Sequence, residues 1–548
     1  MSPWDPLLIC HPRLLEHAMP SLVCHHLRFD WPNGEPVFAD LDAAFPDGVT
    51  GLVGRNGTGK STLLQILAGE LRPTAGAVSG PERIAYLPQH LVLQGDRTVA
   101  DVLGVERRLR AFDRVTAGEG TPEDFEAIGD RWDLEGELTA TIERLGFDDL
   151  DLSRPIGSVS GGEAVLLALA GLLLAEPDVL LLDEPTNNLD RRARGLLADA
   201  VRRWRGPLIL VSHDRELLET VDDIAELRDG ELRVFGGTYS AYVEAVAVEQ
   251  DAAQRAVRSA EGDLKRQQRE LAEMRIKLDR RQRFAKSQAG NVPPIVAGAK
   301  KRAAQVSAGK LKGGHEGDVA EARSRLEEAE DLVRADDVIR IDLRRTAIPA
   351  GRDVLVLEAV VLRNGARVDA HLRGPDRIAV VGPNGSGKTT LVDTVIGSVP
   401  AVQGRVDLRV PTRLLPQRLT VLNDADTVLA AVSRFAPTAD DNTLRAELAR
   451  FLLDADTVVR PVGSLSGGER FRATLAALLL AEPAPHLLIL DEPTNNLDLD
   501  SVAQLTAALN AYQGALLVIS HDEPFLADLH LTARLDLGRS PATVTPVT

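Results

Sequence analysis

The sequence has little cysteine, no long apolar run and a deficit of positive charge. Its 548 residues include two cysteines, Cys10 and Cys24, which are too few for a disulfide framework or a four-cysteine metal site. Such scarcity is typical of a reducing compartment, so we expect a cytoplasmic protein. The longest uncharged apolar run, residues 164–175, is shorter than the roughly 20 residues that cross a bilayer, and the N-terminal residues lack a signal-peptide pattern. We therefore expect no membrane segment in the chain.

The deficit of positive charge is not uniform along the chain. The formal net charge of −18 by itself argues against a nucleic-acid partner. Residues 265–312, however, contain fourteen Lys or Arg and three acidic residues, a net +11, so the rest of the chain carries −29. A basic run is often only a solvated face, but on an acidic protein it favours a polyanion bound by that segment alone. We expect RNA binding there, and the candidate residues are Lys286, Lys300, Lys301, Arg302, Lys310 and Lys312.

An internal repeat organises the chain, which is too long for one hydrophobic core. Five motifs occur twice in the same order: GxxGxGK[ST], [YL]LPQ, SGGE, LDEPTNNLD and SHD. They start at residues 54, 86, 160, 182 and 212 in the first copy and at 382, 414, 466, 490 and 520 in the second. The largest difference is in the spacing from the glutamine to the serine, which is 71 residues in the first copy and 49 in the second. The repeat predicts two α/β domains of one design, the first with about 22 extra residues in its middle.

Both glycine-rich motifs follow an apolar, strand-like run and precede a helical pattern, which is the context of a phosphate-binding loop. Backbone N–H groups and the helix N-terminus bind phosphate oxygens there, the lysine reaches the outer phosphates, and the next hydroxyl binds Mg²⁺. A glycine-rich turn with a chance lysine is the alternative, and the repetition argues against it. The predicted residues are Gly54, Arg55, Asn56, Gly57, Thr58, Gly59, Lys60, Ser61 and Thr62, then Gly382, Pro383, Asn384, Gly385, Ser386, Gly387, Lys388, Thr389 and Thr390.

Each LDEPTNNLD motif ends a short apolar run with two carboxylates. The run predicts a buried parallel strand, and the carboxyl edge of such strands is where open α/β sheets bind ligands. Asp183 and Asp491 suit a Mg²⁺ shell, while Glu184 and Glu492 are placed to take a proton from an attacking water. A DE pair at a strand end is also common on protein surfaces. The repetition of the whole tail DEPTNNLD argues against that interpretation.

The segment between the two copies has a different pattern. Apolar residues recur at seven-residue spacing on either side of a Gly/Pro-containing stretch: Val257, Leu264, Leu271 and Leu278, then Val319, Leu326 and Val333. This spacing predicts two antiparallel helices packed as a short coiled coil. We expect residues 288–312 to form a loop with a short helix at the tip.

These motifs together resemble the ABC-F group of ATP-binding cassette proteins, over residues 21–540. The tandem cassettes, the basic linker and the segment FGGTYSAY at 235–242, which resembles the family's entry to that linker, indicate this group. The resemblance implies an α/β fold with two tandem P-loop NTPase ATP-binding cassette domains joined by an antiparallel α-helical hairpin linker. The expected segments are an N-terminal extension 1–20, cassette one 21–242, the linker 243–345, cassette two 346–540 and a short tail 541–548.

The resemblance also implies a monomeric ATP hydrolase that uses ATP and Mg²⁺ and whose cassettes close head to tail. Site one would use the first phosphate loop, Gln89, Asp183, Glu184 and His213 with Ser466, Gly467 and Gly468 of the other cassette. Site two would use the second loop, Gln417, Asp491, Glu492 and His521 with Ser160, Gly161 and Gly162. The glutamates and histidines would be catalytic, and the metal would be bound by Ser61, Gln89, Asp183, Thr389, Gln417 and Asp491.

The two copies depart from the family pattern at different places. Trp31 stands where an aromatic side chain stacks on adenine, although a core or surface tryptophan is the alternative. Cassette two has no aromatic residue between Asp353 and Gly382. The second signature, SGGERFR, contains Arg472, near the family's usual arginine, and the first, SGGEAVL, contains none. Both deficits fall on site two, so we expect unequal sites.

The function implied by the resemblance is a ribosome-bound ATPase. ABC-F proteins bind the ribosomal E site and either regulate translation or protect the ribosome from an antibiotic, so the expected partners are rRNA and possibly tRNA. The alternative is the tandem ATPase subunit of a membrane transporter with separate membrane chains. The basic linker favours the ribosome, because a transporter ATPase has no evident use for it.

Overall fold

The computed structural model describes residues 22–89, 97–129, 132–147, 150–187, 189–288, 294–334, 341, 343–495 and 497–547. It forms two compact units. The first comprises both cassettes, within residues 1–239 and 338–548, and the second comprises residues 240–337. The predicted N-terminal extension 1–20 lies outside the described residues.

Cassette one has a three-stranded antiparallel sheet, in the order β2-β1-β4, and a six-stranded sheet, in the order β5-β6-β7-β3-β8-β9. The strands are β1 Leu22–Asp30, β2 Pro36–Phe45, β3 Val49–Val53, β4 Ala75–Ser79, β5 Ile84–Leu87, β6 Val179–Asp183, β7 Leu208–Val211, β8 Asp223–Arg228 and β9 Glu231–Gly236. Strands β3, β6 and β7 are buried along their whole length, as apolar central strands of a parallel sheet are. Their carboxyl ends therefore meet at one edge.

Five of the eight α-helices described in cassette one lie between β5 and β6. The eight helices are α1 Lys60–Leu67, α2 Val99–Val102, α3 Glu106–Thr116, α4 Pro122–Ile128, α5 Leu134–Arg144, α6 Gly161–Leu174, α7 Arg191–Arg203 and α8 Arg215–Leu218. Helix α6 begins with a capping box between Ser160 and Glu163, which satisfies two otherwise unpaired N–H groups. Beyond that cap it consists of Ala, Leu, Val and Gly, and most of it is buried.

Cassette two repeats this design in a nine-stranded sheet, in the order β13-β10-β11-β18-β17-β12-β16-β15-β14. Its strands are β10 Asp353–Val361, β11 Arg367–Arg373, β12 Arg377–Val381, β13 Gln403–Leu408, β14 Thr412–Leu415, β15 Leu487–Asp491, β16 Ala515–Ile519, β17 Ala533–Asp536 and β18 Ala542–Pro546. Strand β18 corrects the expectation of a tail at 541–548, because it pairs with β17 and β11. Alternating Thr and Val favour a strand there.

The helices of cassette two show where the first copy is longer. They are α11 Lys388–Val395, α12 Val428–Ser433, α13 Asp441–Arg450, α14 Gly467–Leu479, α15 Leu499–Ala511 and α16 Glu523–Asp528. Between the glutamine motif and the signature, the described part of cassette one has four α-helices and that of cassette two has two. In cassette one, α3 and α4 pack on each other, and Arg114 of α3 hydrogen-bonds Asp124 of α4. The extra residues thus form a small helical element.

The second unit contains two long helices, labelled here by their full extent: α9 Tyr239–Gln288 and α10 Pro294–Asp331. They run antiparallel, because Arg275 pairs with Glu316 at 3.0 Å and Gln250 accepts a hydrogen bond from the N–H of Arg334. The residues predicted at seven-residue spacing are half-buried, and Ala253, Ala322 and Ala329 are buried. Helix α10 is continuous from Pro294, so most of the stretch expected as a loop is helical. Its alanines and lysines favour a helix without a heptad pattern.

Candidate functional site

Adjacent strands of cassette one carry the predicted site residues to one sheet edge. The phosphate loop follows β3, His213 follows β7, Glu184 follows β6, and β7 pairs with both β3 and β6. Glu184 has a φ of 48°, a left-handed conformation that is uncommon for a non-glycine residue, and its N–H donates to the Val211 carbonyl at 2.9 Å. Glu492 has the same conformation, with a φ of 46°.

A cavity of about 380 Å³ lies at this edge. It brings together residues from the loop after β1, the phosphate loop, the glutamine motif and both catalytic candidates. The predicted residues that line it are Trp31, Asn56, Gly57, Gly59, Lys60, Ser61, Thr62, Gln89, Glu184 and His213.

The phosphate loop is shaped by glycine and closed by its lysine. Gly59 has a φ of 97°, and a Cβ there would lie 2.6 Å from a methyl group of Val37. The Nζ of Lys60 donates to the carbonyls of Gly54 and Arg55, at 2.7 and 3.0 Å. Burial lowers the pKa of this ammonium, and the carboxylate of Glu184 opposes that effect. The cationic head is therefore held at the loop, where an anionic ligand would offset the cost of its burial.

Glu184 and His213 form a buried pair. Oε1 of Glu184 lies 3.0 Å from Nε2 of His213 but has no hydrogen-bond partner of good geometry among the described residues. Burial raises the pKa of the glutamate to about 8 and lowers that of the histidine to about 3. A buried carboxyl with an unpaired oxygen and a pKa near neutrality is suited to proton exchange with a ligand or water.

Cassette two forms a second cavity of about 350 Å³ with the same types of residue. Nε2 of His521 lies 3.5 Å from Oε1 of Glu492, and burial raises the pKa of this glutamate and lowers that of the histidine to about 4. The Nζ of Lys388 donates to the Gly382 carbonyl at 2.8 Å. The predicted residues that line the cavity are Asn384, Gly385, Gly387, Lys388, Thr389, Thr390, Gln417, Asp491, Glu492 and His521.

The two cassettes meet around these sites. A further cavity of about 310 Å³ is lined by Arg55 and Asn56 of the first phosphate loop and by Ser466, Gly468 and Arg472 of the second signature. The N–H of Asn56 donates to Asp498 at 2.7 Å, and that of Asn384 donates to Asp190 at 3.5 Å. The described residues thus bring the first phosphate loop and the second signature to one cavity.

Asp190 and Asp498 were missed as site residues, although the sequence contains a signal for them. Each ends a DEPTNNLD motif and caps the helix that follows, α7 or α15. Their second carboxylate oxygen reaches the phosphate loop of the other cassette. A contact between cassettes depends on how they dock, and motif spacing does not reveal that.

Several predicted residues lie outside these cavities. Thr58 hydrogen-bonds the carbonyl of Arg55. Gly54 has a φ of 150° and packs so closely on Leu227 that a Cβ would lie 2.4 Å from its carbonyl oxygen. Ser160 caps α6, and among the described residues no hydrogen bond joins it to the second phosphate loop. The others that do not line the cavities are Gly161, Gly162, Asp183, Gly382, Pro383, Ser386 and Gly467.

The residue at the position predicted to stack on adenine differs between the cassettes. Trp31 follows β1, is about one-third exposed at 37%, and packs edge-on against Phe29 with ring centres 5.1 Å apart. The turn that Trp31 opens recurs in cassette two, where Leu362 makes the matching hydrogen bonds to Ala366 and Gly365. Leu362 is fully buried, and Asn364 lines the second cavity instead. Cassette two therefore has no aromatic side chain in its described cavity.

The metal candidates fit a Mg²⁺ shell better in cassette two. The Thr389 hydroxyl hydrogen-bonds the Asp491 carboxylate, while burial raises the pKa of that aspartate. In cassette one, the Tyr86 hydroxyl hydrogen-bonds the buried Asp183 at 3.3 Å. Ser386 Oγ is buried without a hydrogen-bond partner among the described residues. Carboxylate and hydroxyl oxygens beside buried lysines are a donor set suited to a magnesium nucleotide.

The basic linker residues cannot be placed as a binding surface. The side chains of Lys286, Lys300, Lys301, Arg302, Lys310 and Lys312 lie outside the described residues, although the backbone of each belongs to α9 or α10. Their predicted role in RNA binding stays a prediction. Among the described residues, no helix is long and apolar enough to cross a membrane.

Comparison with known proteins identifies the fold and the relatives. Residues 42–187 and 366–495 match the family model described as ABC transporter. The chain is 33% identical over 514 residues to the tylosin resistance ATP-binding protein TlrC of Streptomyces fradiae, covering 88% of this chain and 90% of that protein. It is 31% identical to the ATP-binding protein YbiT of Escherichia coli O157:H7, over 90% and 92% of the two chains.

A solved structure of an RNase-L inhibitor has the same fold, with a TM-score of 0.58 at 21% identity over 95% of this chain and 90% of that one. Cassette domains of this kind bind ATP, generally with Mg²⁺. The paired family matches agree with the two cavities and their repeated residues. The chain therefore belongs to the ATP-binding cassette family, is of the ABC-F type, and is an ATP hydrolase.

Proposed function

We propose that this ATPase acts on the ribosome, binding at the E site and using ATP to regulate translation or to protect the ribosome from an antibiotic. The observation that carries the proposal is the near full-length similarity to a protein named for tylosin resistance. Tylosin or a compound of related chemistry is accordingly the first antibiotic to test.

The charge distribution supports an RNA partner. Residues 265–312 carry +11 in an otherwise acidic chain. Ribosomal RNA is a dense polyanion, and lysines that neutralise its phosphates make binding strong and salt-dependent. The acidic cassettes would be repelled by the same surface, so contact through the linker is favoured.

The ATPase chemistry is assigned to both composite sites. Lys60 and Lys388 bind the outer phosphates. Mg²⁺ would neutralise phosphate charge, and it would be held by Ser61, Gln89 and Asp183 in one site and by Thr389, Gln417 and Asp491 in the other. Glu184 and Glu492 take a proton from the attacking water, and His213 and His521 hold the reacting groups in place. Ser466–Gly468 and Ser160–Gly162 complete each site from the other cassette, so hydrolysis requires closure.

The test is ribosome co-sedimentation of the Glu184→Gln/Glu492→Gln variant with ATP. Because this variant is expected to bind ATP without hydrolysing it, it should stay closed, pellet with ribosomes and inhibit translation in a cell-free system. The matched control is Lys60→Ala/Lys388→Ala, which should bind ATP poorly and stay in the supernatant. A transporter ATPase would instead pellet with membranes that contain its partner chains, and absence of the double glutamate variant from the ribosome pellet would refute the proposal.

A charge-reversal series tests the linker separately. Replacing Lys300, Lys301 and Arg302 by Glu should weaken ribosome binding and reduce the slope of log affinity against log salt by up to about three. Reversal of three exposed cassette arginines, Arg72, Arg352 and Arg367, is the control and should have a smaller effect. Equal effects of both triplets would mean that the linker charge is only a solvated face.

A further inference from the structure

One arginine touches the histidine loops of both sites. Arg194 lies on α7, and its side chain is 17% exposed. Its Nη1 lies 3.2 Å from Oδ2 of Asp214 and 3.4 Å from the carbonyl oxygen of His521. Its Nε donates to the Leu189 carbonyl at 3.2 Å, which fixes the base of the guanidinium.

These contacts connect elements of different sites. Asp214 directly follows His213, which lines site one, and caps α8. His521 lines site two, and Arg194 itself lines that cavity together with Lys388 and Glu492. Arg194 belongs to cassette one, so cassette one supplies a cation to the site built on cassette two.

Cassette two has no matching arginine. When the DEPTNNLD motifs are superposed, Arg194 corresponds to Val502, which is buried on α15. Asp500 corresponds to Arg192, and its carboxylate lies 3.8 Å from Arg55 of the first phosphate loop. At these positions of the helix after the motif, cassette two offers site one an acidic residue, whereas cassette one offers site two a basic residue.

We propose that Arg194 is a positioning residue that couples the two ATP sites. Occupation of site two would fix the guanidinium beside His521, and its contact with Asp214 would hold the His213 loop of site one in the closed arrangement. A guanidinium suits this role because its planar fork can donate to two acceptors at once. The proposal concerns communication between the sites and does not depend on the ribosome.

The competing explanation is that Arg194 only stabilises the interface, through its contact with the His521 carbonyl. Arg215 and Asp528 also connect the cassettes, at 3.1 Å, but neither lines an ATP cavity. Arg215→Ala is therefore the control, because it removes an arginine contact between the cassettes at a similar distance without changing a residue that lines either ATP cavity.

The experiment measures how strongly site two affects binding at site one. Trp31 lines site one, so its fluorescence, taken as the difference from a Trp31→Phe protein, reports binding of a non-hydrolysable ATP analogue there. Affinity is measured with Lys388 intact and as Lys388→Ala, which empties site two; equilibrium dialysis checks that one analogue per chain remains. The ratio of the two dissociation constants is the coupling factor.

We expect a coupling factor of about five or more in the wild type, in the usual range for coupled sites. Arg194→Ala should bring it below about two, and Arg194→Lys, which keeps the charge but not the fork, should not restore it. Arg215→Ala should leave it unchanged. If Arg194→Ala has a clearly lower melting temperature than the wild type, Arg194→Gln is used in its place. The proposal would be overturned by any of four results. The wild-type coupling factor could be near one, or it could be unchanged in Arg194→Ala. Arg194→Lys could restore it fully, or Arg215→Ala could lower it as much as Arg194→Ala does.

Discussion

Site one and site two share their phosphate chemistry and differ where they bind the base and the opposite cassette. Both have a buried lysine, a left-handed glutamate and a neighbouring histidine. Site one adds Trp31 and, from the other signature, Arg472, whereas the matching positions of site two are Leu362 and Leu166, both buried. The two copies thus share the residues proposed to hold phosphate and differ at residues proposed to affect ATP affinity and closure of the cassettes.

The consequence for function is an unequal division of work. Site one has the aromatic contact and the signature arginine, so it should bind ATP more tightly and dominate hydrolysis. Site two has Arg194 in trans instead. Phosphoryl transfer depends mainly on positioning and on charge neutralisation. The differences between the sites at Trp31, Arg472 and Arg194 can therefore change rates although both sites keep their catalytic groups.

The largest effect is expected when the catalytic glutamates of both sites are replaced together, which gives the activity that remains when neither site has its base. Glu184→Gln/Glu492→Gln should lower steady-state phosphate release by about a hundredfold or more, as expected for loss of a general base. ATP binding should survive, which a filter-binding assay checks. Turnover near the wild-type rate would remove Glu184 and Glu492 from the mechanism.

A smaller effect is expected from the base-binding residue, and it separates the sites directly. Trp31→Ala should weaken ATP binding at site one about two- to tenfold, because one aromatic contact contributes roughly 0.5–1.5 kcal/mol. Asn364→Ala, the control in site two, should change affinity less than twofold. Calorimetry that resolves two binding events measures both. Equal losses in the two variants would mean that Trp31 is only a surface residue.

The smallest effect is the pH dependence of stability of the nucleotide-free protein. Burial raises the pKa of Glu184 to about 8, so the native state retains a proton that the unfolded chain loses above about 4.5. This group therefore lowers stability progressively as pH rises from about 4.5 to about 8, and Gln cannot ionise. Glu184→Gln should equal the wild type in melting temperature near pH 5 and exceed it by about 2 °C or more near pH 8.

Scanning fluorimetry across this range measures the difference, with Glu492→Gln as the comparison. Glu184 and Glu492 are both raised in pKa by burial, so the direction should be the same in both variants. If the melting temperature of Glu184→Gln falls relative to that of the wild type as pH rises, Glu184 is ionised in the folded protein.

The sequence predicted the cassettes and most cavity residues because a phosphate loop, a strand-end carboxylate and a strand-end histidine are local patterns. Residues that act across the cassettes were harder to predict. Asp190 and Asp498 look like helix caps, and Arg194 looks like one of several arginines on an exposed helix. Their role follows from docking of the two cassettes, which motif spacing does not encode.

The elements that were wrongly predicted have local causes. The start of α10 lacks a heptad pattern, but residues such as Ala303 and Ala304 favour helix without one. Strand β18 lies in a short segment between Pro541 and Pro546, which reads as a tail until its pairing with β17 is known. For α10, the helix propensity of its residues outweighed the missing heptad pattern. For β18, pairing with a neighbouring strand outweighed the flanking prolines.

The most direct test of unequal sites is steady-state ATP turnover of the two single variants, measured side by side. Each variant inactivates one base and leaves the other site intact. If site one dominates, Glu184→Gln should lose most of the activity and Glu492→Gln should keep most of it. Equal losses in the two variants would contradict the account and mean that the sites are equivalent or hydrolyse only together.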